Sequence, residues 1–311
     1  MSDAAARVAD ATANNWVDRV APLWSRPYLR LSRFDRPIGS WLLLMPCWWS
    51  AALASGAAQN LQQLPTMIAL FFIGAFVMRG AGCTWNDITD RDLDAKVERT
   101  RSRPIPAGQV TAKKAFAWLV LQALIGLVVL LQLNSFAIAT GIASLIIVAA
   151  YPFMKRITYW PQSVLGLAFS WGALMGFAVV FGRIDATALL LYAGSICWVI
   201  AYDTIYAHQD TEDDALIGIK STALLFGART QTALVVFYGL AVALISVALR
   251  LAGAGWPAWI GLVVFAGHLA WQITRIDISD SALCLRLFKS NRDAGLLLFA
   301  GLLLDAFLRA G

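Results

Sequence analysis

Charged side chains are scarce in this sequence of 311 residues, 14% of the total, where soluble domains carry about a quarter. Their distribution is sparser still. None occurs between Arg36 and Arg79, between Lys114 and Lys155, or between Arg156 and Arg183. A chain that is 59% hydrophobic and interrupted so rarely does not read as a soluble enzyme. Cysteine is also sparse. Cys47, Cys83, Cys197 and Cys284 form no CxxC pair, which excludes a zinc-binding spacing and leaves them as small apolar fillers. The N-terminus lacks a basic segment followed by an apolar stretch, so no cleaved signal is expected. Asp3 and Asp10 argue against a mitochondrial transit peptide.

What remains is a set of long apolar runs. A helix needs roughly 20 apolar residues to cross a bilayer, and each of the first two charge gaps holds two such spans with a polar hinge between them. Gln59, Asn60, Gln62, Gln63 and Pro65 mark one hinge, and Gln132 and Asn134 the other. The expectation is an all-α, polytopic membrane helix bundle of about nine transmembrane helices around a central cavity. The spans fall near residues 38–58, 66–86, 114–132, 135–153, 162–181, 187–206, 230–250, 256–274 and 293–310. Residues 1–37 form a cytoplasmic N-terminal arm, and 38–311 the transmembrane domain. Asp305 interrupts the last span and sits four residues before Arg309, the spacing of a local helical pair.

With the N-terminus inside, 21 of the 25 Lys and Arg residues lie on one side of the membrane, as the positive-inside rule requires. Arg183, Arg250 and Arg309 fall on the other side, and Arg79 lies within a span. The net charge of +6 therefore records topology, and no nucleic-acid partner is expected. An odd span count leaves the C-terminus outside.

Two cytoplasmic connections, near 87–113 and 207–229, open with aspartates. At 100° per residue Asp87, Asp90 and Asp94 lie within about 60° of one another on a helix, with Asn86 at the edge of that face. Asp203, Asp210 and Asp214 fall within about 40°. Three carboxylates on one stripe repel each other, so a positive partner is required. All-oxygen clusters suit a hard cation such as Mg²⁺, which commonly takes a few carboxylates plus substrate phosphates. Nearby cations suit a diphosphate: Arg91, Lys96, Arg99 and Arg103 after the first cluster, Lys155 and Arg156 after the fourth span, and Lys220 after the second cluster. The alternative for either cluster is a solvated acidic helix end. Arg79, seven to eight residues before the first cluster, is costly in lipid and is expected to face a cavity, holding a substrate carboxylate or buttressing the acids. Trp48, Trp49, Tyr151, Trp171, Trp198 and Tyr202 are candidates for an aromatic wall able to stabilise a cation, or for packing and interfacial residues. His208 and His268 are taken as structural.

At these residues the sequence resembles the UbiA superfamily of membrane prenyltransferases. The matching stretches run in the family's order: Arg33–Gly39 (RFDRPIG), Arg79–Asp94 (RGAGCTWNDITDRDLD), Arg99–Pro104 (RTRSRP), Tyr151–Thr158 (YPFMKRIT), and Tyr202–Tyr206 (YDTIY) through Gly218–Thr222 (GIKST). The last two point to the hydroxybenzoate branch. The resemblance implies magnesium at Asp90 and Asp94, with Asp87 and Asn86 beside them, and at Asp210 and Asp214. It implies catalytic roles for both aspartate sets, including Asp203, and acceptor or cavity roles for Arg36, Arg79, Asn86, Tyr151 and Tyr202. The implied reaction joins polyprenyl diphosphate and 4-hydroxybenzoate, in a bacterial inner membrane or alternatively a mitochondrial one. A naphthoate or haem acceptor stays open, as does, from another class, a cation transporter with intramembrane carboxylates.

Overall fold

The computed structural model describes Val8 and residues 15–98, 100–209, 211 and 218–311. All regular structure among them is helical. The elements are α1 (Trp16–Arg19), α2 (Arg26–Leu31), α3 (Ile38–Ala58), α4 (Leu64–Asp94), α5 (Ala112–Leu130), α6 (Ser135–Ile157), α7 (Pro161–Ser170), α8 (Gly172–Phe181) and α9 (Ala186–Ala207). They continue with α10 (Thr222–Phe226), a 3₁₀ turn (Gly227–Arg229), α11 (Thr230–Leu251), α12 (Trp256–Arg275) and α13 (Ser281–Ala310).

Among the described residues eight stretches are long and apolar enough to cross a membrane: α3, α4, α5, α6, α7 with α8, α9, α10 with α11, and α12. The ninth, α13, carries Asp293, Asp305 and Arg309 in its last eighteen residues, which separates it from the others by composition. It begins at Ser281, twelve residues before the expected start, because its mixed-charge first turns are helical too. Asp280 caps that start by accepting from the Leu283 amide at 2.9 Å. The expected span of 66–86 is likewise the middle of the 31-residue α4. At 1.5 Å per residue α4 is about 46 Å long, two to three turns more than a bilayer core of about 30 Å requires. The surplus carries the first acidic stripe as continuous helix.

The outer surfaces of these helices are apolar. Phe116, Val120, Leu124 and Val128 on α5, Ile142 and Ile146 on α6, and Val235 and Val236 on α11 are exposed, the pattern of lipid-facing positions. The polar hinges are helix boundaries. Gln59 adopts a left-handed φ of 50° between α3 and α4. Asn134 caps α6 by accepting from the Ala137 amide and donates to the Ala178 and Val179 carbonyls of α8.

The chain divides into two compact units: residues 1–41 with 72–132, and 42–71 with 133–311. In the first, Leu31, Val110 and Ala115 form a small core against Tyr28, Ile88, Ile105 and Trp118. A polar knot lies beside it. Ser32 donates to Gln122 Oε1 at 2.9 Å and accepts from Trp118 Nε1 at 2.8 Å, while Gln122 Nε2 donates to Thr84 Oγ1.

In the second unit, Trp49, Trp198 and Phe265 pack with ring centroids 4.9–6.0 Å apart. A buried polar network ties four helices around them. Trp198 Nε1 donates to Asn291 Oδ1 at 2.9 Å, Asn291 Nδ2 donates to Gln272 Oε1 at 3.0 Å, and the Tyr238 hydroxyl donates to the same oxygen at 2.8 Å. At the far end of α13, Asp305 Oδ1 accepts from the Gly255 amide at 2.8 Å and Arg309 donates to the Ala252 carbonyl at 3.0 Å. The two side chains are 3.6 Å apart, so the expected local pair also clamps the turn between α11 and α12. That explains an acid inside a span: it satisfies backbone that the turn leaves open. The four cysteines are free thiols, Cys83 and Cys284 buried and the other two half-buried, as expected of fillers.

Asn291→Ala strands the Trp198 donor and removes a donor from Gln272. The expected loss is about 1–3 kcal/mol, measured by denaturant unfolding in detergent micelles. Ser246→Ala, at an exposed hydroxyl bonded only within its own turn, should leave the midpoint unchanged.

Candidate active site

The first acidic stripe is the better defined. Asp87, Asp90 and Asp94 are all buried, at 0%, 0% and 6% exposure, so they are not a solvated helix end. Buried carboxylates require partners, and two arginines supply them. Arg33 grips Asp87 with both ends of its guanidinium, Nη1 to Oδ2 at 2.9 Å and Nη2 to Oδ1 at 2.6 Å. Arg103 donates to Asp94 Oδ2 at 2.8 Å and lies 3.5 Å from Asp87 Oδ1. One guanidinium comes from before α3 and the other from the loop after α4.

The chain holds Arg33 in place at a cost. Its φ is +59°, the left-handed region that a residue with a Cβ rarely adopts. Ser32, immediately before it, is locked by Gln122 and Trp118, and Leu31 before that is fully buried. Arg33 also donates to the Arg30 carbonyl at 3.1 Å. The strap from 30 to 36 is thus tied at several points, and the strained residue carries the guanidinium to Asp87.

The glycines of the motifs have steric reasons. A Cβ on Gly80 would come within 2.1 Å of Gln122 Oε1, and one on Gly39 within 2.7 Å of the Arg79 guanidinium. Arg79 therefore lies against the first turn of α3. It is half-buried, as expected of an arginine that does not face lipid.

Of the proposed diphosphate ligands, Arg103 is at the stripe. Arg91 is about half exposed and lies 3.6 Å from Asp92, and Lys96 is exposed; both follow the outer side of the helix end and do not supply the counter-charge that the stripe demands. Arg99 lies outside the described residues. Arg36 is bonded to the buried Asp35 at 2.8 Å. Asn86 is half-buried at the edge of the stripe.

In the second unit, Asp203 is half-buried near the end of α9; Asp210 and Asp214 lie outside the described residues. Lys155 and Arg156 end α6, the first half-buried and the second exposed, and Tyr151 is half-buried one turn earlier. The Lys220 amide donates to the Lys155 carbonyl at 2.9 Å, and its ammonium donates to the Ile157 carbonyl at 3.1 Å and lies 5.4 Å from the Tyr159 ring. Lys220 thereby ties its own loop to the end of α6. Tyr202 is 1% exposed and packed between Trp198 and Phe288. Trp49, Trp198 and Tyr202 are buried among other aromatic rings. His208 bonds Thr230 Oγ1 through Nε2 at 2.9 Å, and burial pushes its imidazole below the ordinary value; both fit a structural role.

Arg33 was not among the residues singled out for the site. Its signal in the sequence was indirect, the unmet need of three acids for a positive charge, and proximity in sequence pointed downstream instead.

The UbiA prenyltransferase family profile matches residues 43–301. The chain belongs to this family. Among its relatives, 4-hydroxybenzoate polyprenyltransferase, mitochondrial, of Rattus norvegicus is 50% identical over 289 residues, 91% of this chain and 76% of the relative. The protein of the same name from Arabidopsis thaliana is 45% identical, covering 93% of this chain and 71% of its own length. Among solved structures, an apo UbiA homolog from Aeropyrum pernix K1 aligns with a TM-score of 0.69 at 24% identity, over 85% of this chain and 97% of that one. A UbiA homolog from Archaeoglobus fulgidus bound to GPP and Mg²⁺ aligns at 0.58 and 16% identity, over 88% and 99%. These establish the fold, and family membership sets the cation-transporter alternative aside.

Removing one member of a buried ion pair leaves the other unsatisfied. Arg33→Ala is expected to destabilise the protein by about 3 kcal/mol, the low end of that range because Arg103 stays near Asp87. Arg33→Gly relieves the left-handed backbone and should be milder than Arg33→Ala by about 1 kcal/mol. Unfolding midpoints of the two variants check the order.

Proposed function

We propose that this protein transfers a polyprenyl group from polyprenyl diphosphate to 4-hydroxybenzoate, ortho to the phenol, releasing diphosphate, the prenylation step of ubiquinone biosynthesis. The observation that carries this reading is identity of 45–50% over more than nine-tenths of the chain to relatives that bear that activity in their names. The multi-pass helical fold supports it, since a polyprenyl tail is kept in lipid while its diphosphate meets the polar end of the helices.

The donor set fits magnesium. Asp90 and Asp94 are buried oxygen ligands on one stripe, and Asp210 and Asp214 complete the family's second motif. Magnesium commonly takes one or two carboxylates and leaves positions for water and phosphate. When bound, magnesium neutralises the diphosphate and makes it a better leaving group. Asp87, with both oxygens held by arginines, is assigned a positioning role. Arg103, at the first stripe, is assigned to stabilising charge on the departing diphosphate; Lys155 and Arg156 are assigned to diphosphate binding from the sequence pattern. Arg79 is assigned to the acceptor carboxylate. The carbon–oxygen bond of the donor breaks to leave diphosphate and an allylic cation; the ring carbon ortho to the phenol bonds to that cation and then loses its proton. Apolar surroundings keep water from the allylic cation.

The Lys and Arg asymmetry supports a cytoplasmic N-terminus in a bacterial inner membrane. The names of the relatives say mitochondrial, which supports the alternative of a mitochondrial membrane.

Product analysis with 4-hydroxybenzoate, its naphthoate counterpart and haem as separate acceptors tests the assignment; prenylated 4-hydroxybenzoate alone is the expected product. Excess chelator should abolish turnover, and full activity in chelator would overturn the metal assignment. Asp90→Asn and Asp210→Asn should each lower kcat on the order of a hundredfold or more while both variants still insert in the membrane. Near-normal rates in both would remove these acids from the proposed metal site.

A further inference from the structure

The N-terminal arm presents an unusual surface. Trp16, Val20, Leu23 and Trp24 are 50%, 78%, 69% and 77% exposed, four large apolar side chains within nine residues that lie before the first membrane span. The neighbouring stripe of the same turn is buried, with Val17 at 0% and Ala21 at 6%. The arm has an inner face that packs and an outer face that is equally apolar.

The outer face is held rigidly. Asp18 and Arg30 form an ion pair at 2.7 Å with side chains only 8% and 4% exposed. Asn15 caps the turn, accepting from the Asp18 amide and donating to its carboxylate. Trp16 Nε1 donates to the Phe34 carbonyl at 2.7 Å, so its one polar atom turns inward and its ring is left outward. Phe34 lies four residues before Ile38, where α3 begins its span. The arm is therefore fastened to the point where the chain enters the bilayer.

Among the described residues 16–24 the exposed charge is Arg19. Arg19 is exposed between Trp16 and Val20, and the acid nearest to it, Asp18, is used up in the buried pair. Tryptophan with arginine is the composition of the membrane–water boundary, and apolar side chains flanked by basic ones mark segments that lie in that plane. Anionic lipid headgroups attract such a segment. We infer that Trp16, Val20, Leu23 and Trp24 form an interfacial anchor seated in the headgroup layer of the same bilayer, with Arg19 at anionic headgroups. The cytoplasmic arm is then a membrane-bound element. The strap that follows it bears Arg33, so the anchor also fixes the base from which Arg33 reaches Asp87. This inference is independent of the substrate assignment.

Spin labels test it in the full chain. In a variant with the four native cysteines replaced by alanine, labels at Leu23→Cys, Trp24→Cys and, as control, the exposed Glu98→Cys are compared in nanodiscs of phosphatidylcholine with or without phosphatidylglycerol. Labels at 23 and 24 should be more accessible to oxygen than to a nickel chelate, with the shift increasing as phosphatidylglycerol is added, and the label at 98 should show the reverse preference. Nickel accessibility at 23 and 24 equal to that at 98 would overturn the proposal. So would spin–spin broadening there that disappears on dilution with unlabelled chain, which would make a second copy the occupant. If the cysteine-free chain does not fold, hydroxyl-radical footprinting of the unmodified protein in the same nanodiscs gives the answer. Trp24 protected in lipid is expected, and Trp24 oxidised as fast as in the unfolded chain overturns the anchor.

Discussion

The ion pair between Arg33 and Asp87 is the contact on which the first unit depends. A fully buried carboxylate is tolerable only with its charge answered at close range, and the nearest cations in sequence, Arg91 and Lys96, are exposed, Arg91 beside Asp92. The answer comes from 54 residues upstream. To deliver it the chain accepts a left-handed backbone at Arg33, buries Leu31, and anchors Ser32 with hydrogen bonds to Gln122 and Trp118. The narrow clearances at Gly39 and Gly80 follow from the same crowding. Local strain and a buried charge, each unfavourable alone, are offset by one another and by the packing beneath them. The arrangement leaves Asp90 and Asp94 on one face, with Arg103 bonded to Asp94.

Much of the fold was legible in the sequence because a bilayer-spanning helix announces itself by what it excludes. The gaps without charge located the spans, and the polar residues Gln59, Gln132 and Asn134 located the turns. Hydropathy failed where helices continue past the apolar run. α4 extends to Asp94 and α13 begins at Ser281, since backbone hydrogen bonding does not stop at the edge of the apolar stretch. The stripe formed by Asp87, Asp90 and Asp94 was visible from helical periodicity alone.

Partner choice was not legible. Three acids on one face demand positive charge, but the demand names no residue. Sequence proximity favoured four cations after the cluster, of which Arg103 meets the stripe, while Arg33 answered from the other direction. The knot of Ser32, Gln122, Trp118 and Thr84 joins residues up to 90 positions apart, and no local pattern marks such a set. The aromatic residues were ambiguous for a related reason. Tyr202 and Trp198 have the chemistry to face a cation, and only packing shows that Trp49, Phe265 and Phe288 enclose them.

The long reach of these contacts bears on the order in which the protein is made. Arg33 leaves the ribosome well before Asp87, and Ser32 long before Gln122. The strap cannot settle until α3 and α4 have entered the membrane and α5 has followed. During that interval the strained backbone at Arg33 lacks the Ser32–Gln122 and Ser32–Trp118 bonds that hold it, so the geometry at Asp87 is among the last features of this unit to form.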